Sequence, residues 1–267
     1  MTPQQKTTQQ TTQGSNQLNT EECIVQVTSD VDEGQECFVI TTPAATYYYQ
    51  KEGCGFSSLI DRSGNDWINY HPTGGSAGNY RGIPNMGLNV FGHPGYTTGA
   101  KSWLSEQRSH FVQITSESAD GTWKVIWEFH PDRAVMTAQK IGASAWLLYE
   151  GTPGGKFLPS EQYWLSSDGK VRLCDRKFRG HLPNPKWVAF CDPQSSRSLV
   201  LSYKGESTQK DTYWPMGGEK GMTVFGFGRS DLLVRTKRHI SETPFQFSFA
   251  LVETLQYKVI KAAVETF

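Results

Sequence analysis

His71, Tyr80, Arg81 and Glu150 are the residues of this chain whose types and placing suit acid–base chemistry on a polyhydroxylated ligand. Arginine presents a planar fork that matches a carboxylate, and tyrosine and histidine can carry protons at a reacting centre. His71 and the Tyr80-Arg81 pair flank one small-residue loop, Thr73 to Asn79, so a fold can bring all three to one point. Together they suit removal of a proton beside the carboxylate of a uronic acid. The structural alternative is that Arg81 pairs with Asp66 or Glu52 and that His71 caps a strand end. Glu150 closes an apolar run and opens a glycine loop, Gly151 to Lys156, where it suits a base, a holder of sugar hydroxyls, or an ordinary solvated strand end. That loop is no phosphate cradle, because the spacing GxxxxGK[ST] is not met and no strand–loop–helix unit follows.

A second group of residues suits sugar binding. Tyr213 and Trp214 fall in the turn-rich stretch Asp211 to Gly218, Tyr163-Trp164 forms another aromatic pair, and Tyr49 and Trp67 belong to the aromatic, glycine-rich stretch 47–87. An exposed ring of this kind stacks on the apolar C–H face of a pyranose, and Arg229 adds a cation close by in sequence. The competing reading is that these rings cover a core, since β-sandwiches routinely bury tryptophan.

These residues need a scaffold, and the composition says which. The chain has 267 residues, with 37% apolar and 12% aromatic content, enough for a sizeable core. Lys plus Arg equals Asp plus Glu, 26 against 26, which argues against a nucleic-acid partner, whose phosphates need a basic face. No run reaches the roughly 18 apolar residues of a membrane span, and no signal peptide is visible. The five cysteines are oddly spaced, with no CxxC pair, so zinc is unlikely on spacing grounds. Buried, reduced thiols are expected, with a Cys23–Cys37 bridge between adjacent strands as the alternative. The histidines lack HxH or HExxH spacing, no GxSxG elbow occurs, and no Asp-rich calcium loop is recognisable. No cofactor is expected.

Residues 1–20 are rich in Gln, Thr and Asn and nearly devoid of apolar side chains, which predicts a disordered leader. From residue 21 to 267 a single β-domain is expected. Ile24 to Val27 and Cys37 to Thr41 read as strands around an acidic turn, Phe56 to Ile60 as a buried strand, Asp61 to Asp66 as a hairpin-type turn, and Trp67 to Tyr70 as its returning strand. Further strands are expected at 111–116, 122–130, 135–141, 145–150, 171–173, 187–191, 198–203, 222–227 and 245–254. Short strands at this spacing favour an all-β antiparallel sandwich or barrel. Tyr257 to Phe267 suits a final helix, although strand through 242–259 is an alternative.

The strings TYYYQKEGCGFSSLIDRSGNDWINYHP, YRGIPN, YEGTPGGKF, WVAFCDP, DTYWPMGG and MTVFGFGR resemble the galactose-mutarotase-like β-supersandwich group over most of residues 40 to 255. The group includes sugar epimerases and polysaccharide lyase domains. The resemblance implies a sugar on a concave sheet face, worked by His, Tyr, Arg and Glu, and so marks His71, Tyr80, Arg81 and Glu150. Its pattern of widely separated histidines with a late Glu is not matched: only His181 with Glu206 or Glu253 could be forced into it. Four functions are therefore expected, in order: β-elimination on a uronic-acid-containing glycan, non-catalytic carbohydrate binding, sugar epimerisation, and protein assembly through exposed rings.

Overall fold

The computed structural model describes residues 25–68, 70, 83–84, 86, 99–142, 145–207, 209–218, 221–229, 240 and 242–267. The strands in chain order are β1 (Gln26–Asp32), β2 (Gln35–Thr41), β3 (Ala45–Gln50), β4 (Phe56–Asp61), β5 (Ala100–Arg108), β6 (Phe111–Ser118), β7 (Trp123–Phe129), β8 (Ala134–Ile141) and β9 (Leu147–Gly151). They continue with β10 (Tyr163–Ser166), β11 (Val171–Leu173), β12 (Phe178–Gly180), β13 (Lys186–Asp192), β14 (Arg197–Lys204), β15 (Asp211–Met216), β16 (Met222–Phe227) and β17 (Phe245–Val252). One α-helix, α1 (Tyr257–Val264), follows.

Among the described residues these strands form three antiparallel sheets. The first is β1-β2-β3-β4, the second β11-β10-β13-β14-β17-β8-β7-β6-β5, and the third β12-β15-β16-β9. Both smaller sheets pack on the same face of the nine-stranded one. Tyr47, Tyr49 and Phe56 of the first meet Trp127, Phe129 and Phe249, while Tyr149, Tyr213 and Phe225 of the third meet Trp164 and Phe190. Ring pairs at these geometries, edge-to-face except for the tilted Tyr149–Phe190 and Trp164–Tyr213 pairs, contribute about 0.5–1.5 kcal/mol each beyond the area they bury. On the opposite face of the large sheet, Ile260 and Val264 of α1 cover Leu165, Trp187, Ala189 and Val200. The molecule is an antiparallel β-sandwich; among the described residues it is all-β apart from α1 and one short 3-10 turn at Pro153–Gly155.

Most of the expected strands form within a residue or two of their predicted ends. The alternation in β7, with Trp123, Val125 and Trp127 on the buried face, is the pattern of a sheet with one face against a core. The returning strand expected at Trp67 to Tyr70 is absent at 67, 68 and 70, the described residues of that stretch. Its ladder is reduced to a single bridge, Ile60 to Asp66, because the Trp67 carbonyl is taken by Tyr149 Oη at 2.7 Å and by the Thr152 amide at 3.2 Å. Strands β5, β10, β12 and β15, and β3 through the tyrosine triplet, were not expected. Four cysteines, Cys37, Cys54, Cys174 and Cys191, are free and buried, as the thiol reading anticipates. Cys23 and the whole leader 1–20 lie outside the described residues.

The first sheet is tied to the second by charge. Asp61, at the end of β4, accepts from the amides of Ser63 and Asn65, from the Trp67 indole at 3.1 Å, and from Arg197 of β14 at 3.0 Å. Burial alone would raise its pKa, but these donors hold the carboxyl below its ordinary value. Asp66, five residues on, accepts only the Leu59 and Ile68 amides at 2.9 and 3.0 Å among its backbone donors, and burial pushes it up to about 6.

A carboxyl raised in the folded state favours folding when protonated. Its contribution is therefore most favourable below the unfolded value near 4 and declines as pH rises towards 6. Asp66→Asn is expected to be more stable than the parent at pH 7.5, with the difference closing by about pH 4. Urea midpoints at the two pH values measure this, and an equal difference at both contradicts it.

Candidate functional site

The face of the third sheet turned away from the main core carries a second, largely buried cluster, and the candidate groups lie in it and at its half-exposed Trp214 end. In β9, Leu147 and Tyr149 enter the main core, so alternation turns Leu148 and Glu150 outward, on the same side as Trp146. In β16 and β15 the outward set is Met222, Val224, Trp214 and Met216. Register sets Glu150 opposite Val224, and Val224 opposite Trp214. The carboxylate and the indole thus share one row across three strands, with Cα atoms about 9–10 Å apart at two strand spacings. Glu150 is 2% exposed in a face otherwise made of Trp146, Leu148, Met222 and Val224, whereas Trp214 is half-buried. Lys177 Nζ lies 3.3 Å from the centre of the Trp214 ring.

Arg229 completes this face by a glycine device. Gly226 pairs with Leu148 and Thr212 on its two sides. A Cβ there would stand 3.1 Å from Arg229 Cβ, 3.2 Å from its Cδ and 2.5 Å from Leu148 Cδ2. The missing side chain is the space in which the arginine stem lies against the sheet. The guanidinium reaches the Trp146 ring at 5.7 Å. Burial lowers its pKa, and the Glu150 charge opposes that shift, so acid and cation feel one another.

What holds Arg229 there is Asp211, at the start of β15 and fully buried. Asp211 Oδ1 accepts the Gly228 amide at 2.9 Å, and Oδ2 accepts the Leu182 amide and Lys186 Nζ, each at 3.1 Å. Gly228 has a positive φ of 67°, a turn conformation that glycine adopts without penalty. The carboxylate therefore fixes the turn immediately before Arg229 and joins it to β13.

The sequence-based candidates divide clearly. Glu150, Trp214 and Arg229 come together on this one face. His71, Tyr80 and Arg81 lie outside the described residues, although the chain leading to them is anchored beside β9 through the Trp67 carbonyl. Tyr49, Trp67, Trp164 and Tyr213 have no exposed ring face and are core residues, so no sugar can stack on them. Tyr49 Oη bonds Ser116 Oγ at 2.7 Å and Tyr213 Oη bonds the Cys174 carbonyl at 2.7 Å. Tyr163, one residue from Trp164, points to the opposite side of the nine-stranded sheet and packs with the α1 cluster. Adjacent strand residues face opposite ways, so neither Tyr163-Trp164 nor Tyr213-Trp214 could supply two rings to one surface. Trp146 and Lys177 were missed. Trp146 was legible as two and four residues before Leu148 and Glu150 on the same face; Lys177 carried no signal. No group of three or more His, Cys, Asp or Glu side chains is placed to hold a metal among the described residues.

The architecture is that of the galactose-mutarotase-like β-sandwiches. The solved structure of HI1317 superposes with a TM-score of 0.57 at 14% identity, covering 88% of this chain and 98% of that one. A putative mutarotase, YeaD from Salmonella typhimurium, superposes with a TM-score of 0.54 at 10% identity, covering 86% and 96% respectively. At such identities the likeness is one of fold. Comparison with protein-family models and with curated proteins finds no match. No described helix is long and apolar enough to cross a membrane.

Asp211→Ala leaves Lys186 buried without its counter-charge, which costs about 3–5 kcal/mol. A urea midpoint equal to that of the parent would contradict the anchoring role.

Proposed function

We propose that the chain binds a sugar on the outer face of the β12-β15-β16-β9 sheet and interconverts its anomers. The observation that carries this reading is the row that joins the buried Glu150 carboxylate to the half-buried Trp214 ring, with the Arg229 stem laid over Gly226 of the central strand and its guanidinium in the field of Glu150. The Cα atoms at the two ends of the row are about 10 Å apart, a separation on the scale of one pyranose. The Trp214 end, being more exposed, admits the sugar, and the Lys177 ammonium over the indole ring meets its hydroxyls there. Dry surroundings strengthen each polar contact that the carboxylate and guanidinium make.

Anomer exchange asks little of such a site. Glu150 accepts the proton of the anomeric O1 hydroxyl, the C1–O5 bond opens as C1–O1 becomes a carbonyl, and O5 gains a proton from a second donor. Arg229 hydrogen-bonds a sugar oxygen and holds the ring in place. His71 and Tyr80 have the chemistry of that second donor. Rotation about C1–C2 and the reverse steps yield the other anomer, with no net change in protons or electrons. The description of YeaD as a putative mutarotase supports the same reading.

β-Elimination on a uronic-acid-containing glycan is the finer alternative. It gives Arg81 the carboxylate and His71 or Tyr80 the proton, and it rests on those three residues. A non-catalytic carbohydrate-binding role uses Glu150, Trp214 and Arg229 alone.

Exchange spectroscopy on a panel of aldoses, run beside ultraviolet detection of unsaturated uronates from acidic polymers, separates the three. Anomer exchange is expected, falling roughly 10²- to 10⁴-fold in Glu150→Gln with the fold intact by circular dichroism. Unsaturated product without exchange would replace this reading with a lyase. Saturable binding without either would replace it with a binding domain.

A further inference from the structure

Beside the sugar face lies a second opening that this reading does not use. Strand β11 is the edge of the nine-stranded sheet and β12 the edge of the third, and the chain crosses from one to the other through residues 174–177. Between the two edges is a cleft of about 350 Å³ lined by Val171, Arg172, Leu173, Arg176, Lys177 and Phe178.

The cleft is cationic and partly preorganised. The Arg172 guanidinium sits 4.7 Å from the Trp164 ring and 4.8 Å from that of Phe178, and donates to Ser166 Oγ at 3.0 Å. Stacking fixes the plane of the fork before any ligand arrives. The crossing segment is held by Tyr213 Oη on the Cys174 carbonyl at 2.7 Å. Arg176 is exposed, and among the described residues it pairs with the exposed Asp175, Nε to Oδ1 3.7 Å. An exposed pair of this kind contributes little and leaves the guanidinium open to another anion. Two large apolar side chains, Val171 at 62% and Leu173 at 38% exposed, form the rim. Cations with apolar walls suit an anion carried on a ring, more than a free inorganic ion. Lys177 belongs to both places: it lines the cleft and caps the Trp214 ring of the sugar face.

We propose that the β11–β12 cleft is a subsite for an acidic unit of a sugar chain, bearing a carboxylate or sulfate ester, whose neighbouring unit occupies the Glu150 face. This rests on the sugar-binding reading of that face. Arg176 and Lys177 take the anionic group, Arg172 supports it from its stacked position, and Val171 and Leu173 border the ring. The ligand class is thus an acidic oligosaccharide of two units or more, with one end at Trp214.

Calorimetry with an oligogalacturonate and with its methyl ester tests this, since esterification removes the charge at the cost of one added methyl group per unit. The acid is expected to bind at least tenfold more tightly than the ester, with an advantage that shrinks as salt is raised. Arg176→Gln should weaken the acid about tenfold and leave the ester unchanged, and Lys177→Met should likewise weaken the acid. Glu150→Gln should weaken both oligomers, because the neighbouring unit sits there. Equal binding of acid and ester, or equal loss of both in Arg176→Gln, overturns the subsite. Acid binding that is insensitive to Glu150→Gln overturns the link to the sugar face. Inorganic sulfate binding as tightly as the oligomer reduces the cleft to a plain anion site and also overturns the proposal. Failure of the sugar face itself is read separately, from neutral aldoses, which do not engage Arg176.

Discussion

A carboxylate that has lost its water must be ringed by donors or it will not stay charged. Asp211 meets that demand with the Lys186 ammonium and the amides of Leu182 and Gly228, and the candidate site follows from the arrangement. The three donors come from the approach to β13, from its first residue and from the turn after β16. Satisfying one acid therefore fixes where three segments meet. The turn at Gly228 then delivers Arg229 across Gly226 and within the field of Glu150. The placing of the pair on the sheet face depends on a deeper charge, on the core side of the same sheet.

The first sheet serves the site in a less direct way. Asp61 holds the β4 turn to Arg197 and to the Trp67 indole, and the Trp67 carbonyl is then fixed by Tyr149, whose neighbour in the strand is Glu150. The close approach leaves no room at Gly151, where a Cβ would lie 2.2 Å from the Trp67 oxygen. Stabilising contacts in the first sheet are in this way connected to the register of the strand that carries the acid. The cost is the hairpin ladder, which is reduced to the Ile60–Asp66 bridge.

Strand period was the most legible property of the sequence. Where alternation is clean, as in β7, both the element and its burial followed from it. It failed where edges and turns blur the pattern. Strand β5 is mostly exposed and carries a register shift between Leu104 and Glu106. Strand β15 contains Pro215 and ends in glycines, so it read as a loop. The same period, applied strictly, would have corrected the choice of aromatic platforms. Adjacent residues in a strand cannot both face outward, so of Tyr213 and Trp214 one must be core. Glu150, Trp214 and Arg229 were individually visible as chemistry. Their convergence was not, because it depends on pairing β9 with β16 and β15 across long loops, and no local pattern encodes that pairing. The resemblance to the mutarotase-like group was legible as a pattern and agrees with the observed fold.

The most direct test of the sugar face uses the eight tryptophans as reporters. Their indole N–H signals can be followed by NMR while an aldose is titrated, with each assigned by substitution to phenylalanine. Trp146 and Trp214 are expected to shift in a saturable way, while the core residues Trp67, Trp123, Trp127, Trp164 and Trp187 stay in place. Shifts confined to Trp103, on the exposed β5 edge, or saturable binding that moves neither Trp146 nor Trp214, would contradict the account and place the ligand elsewhere.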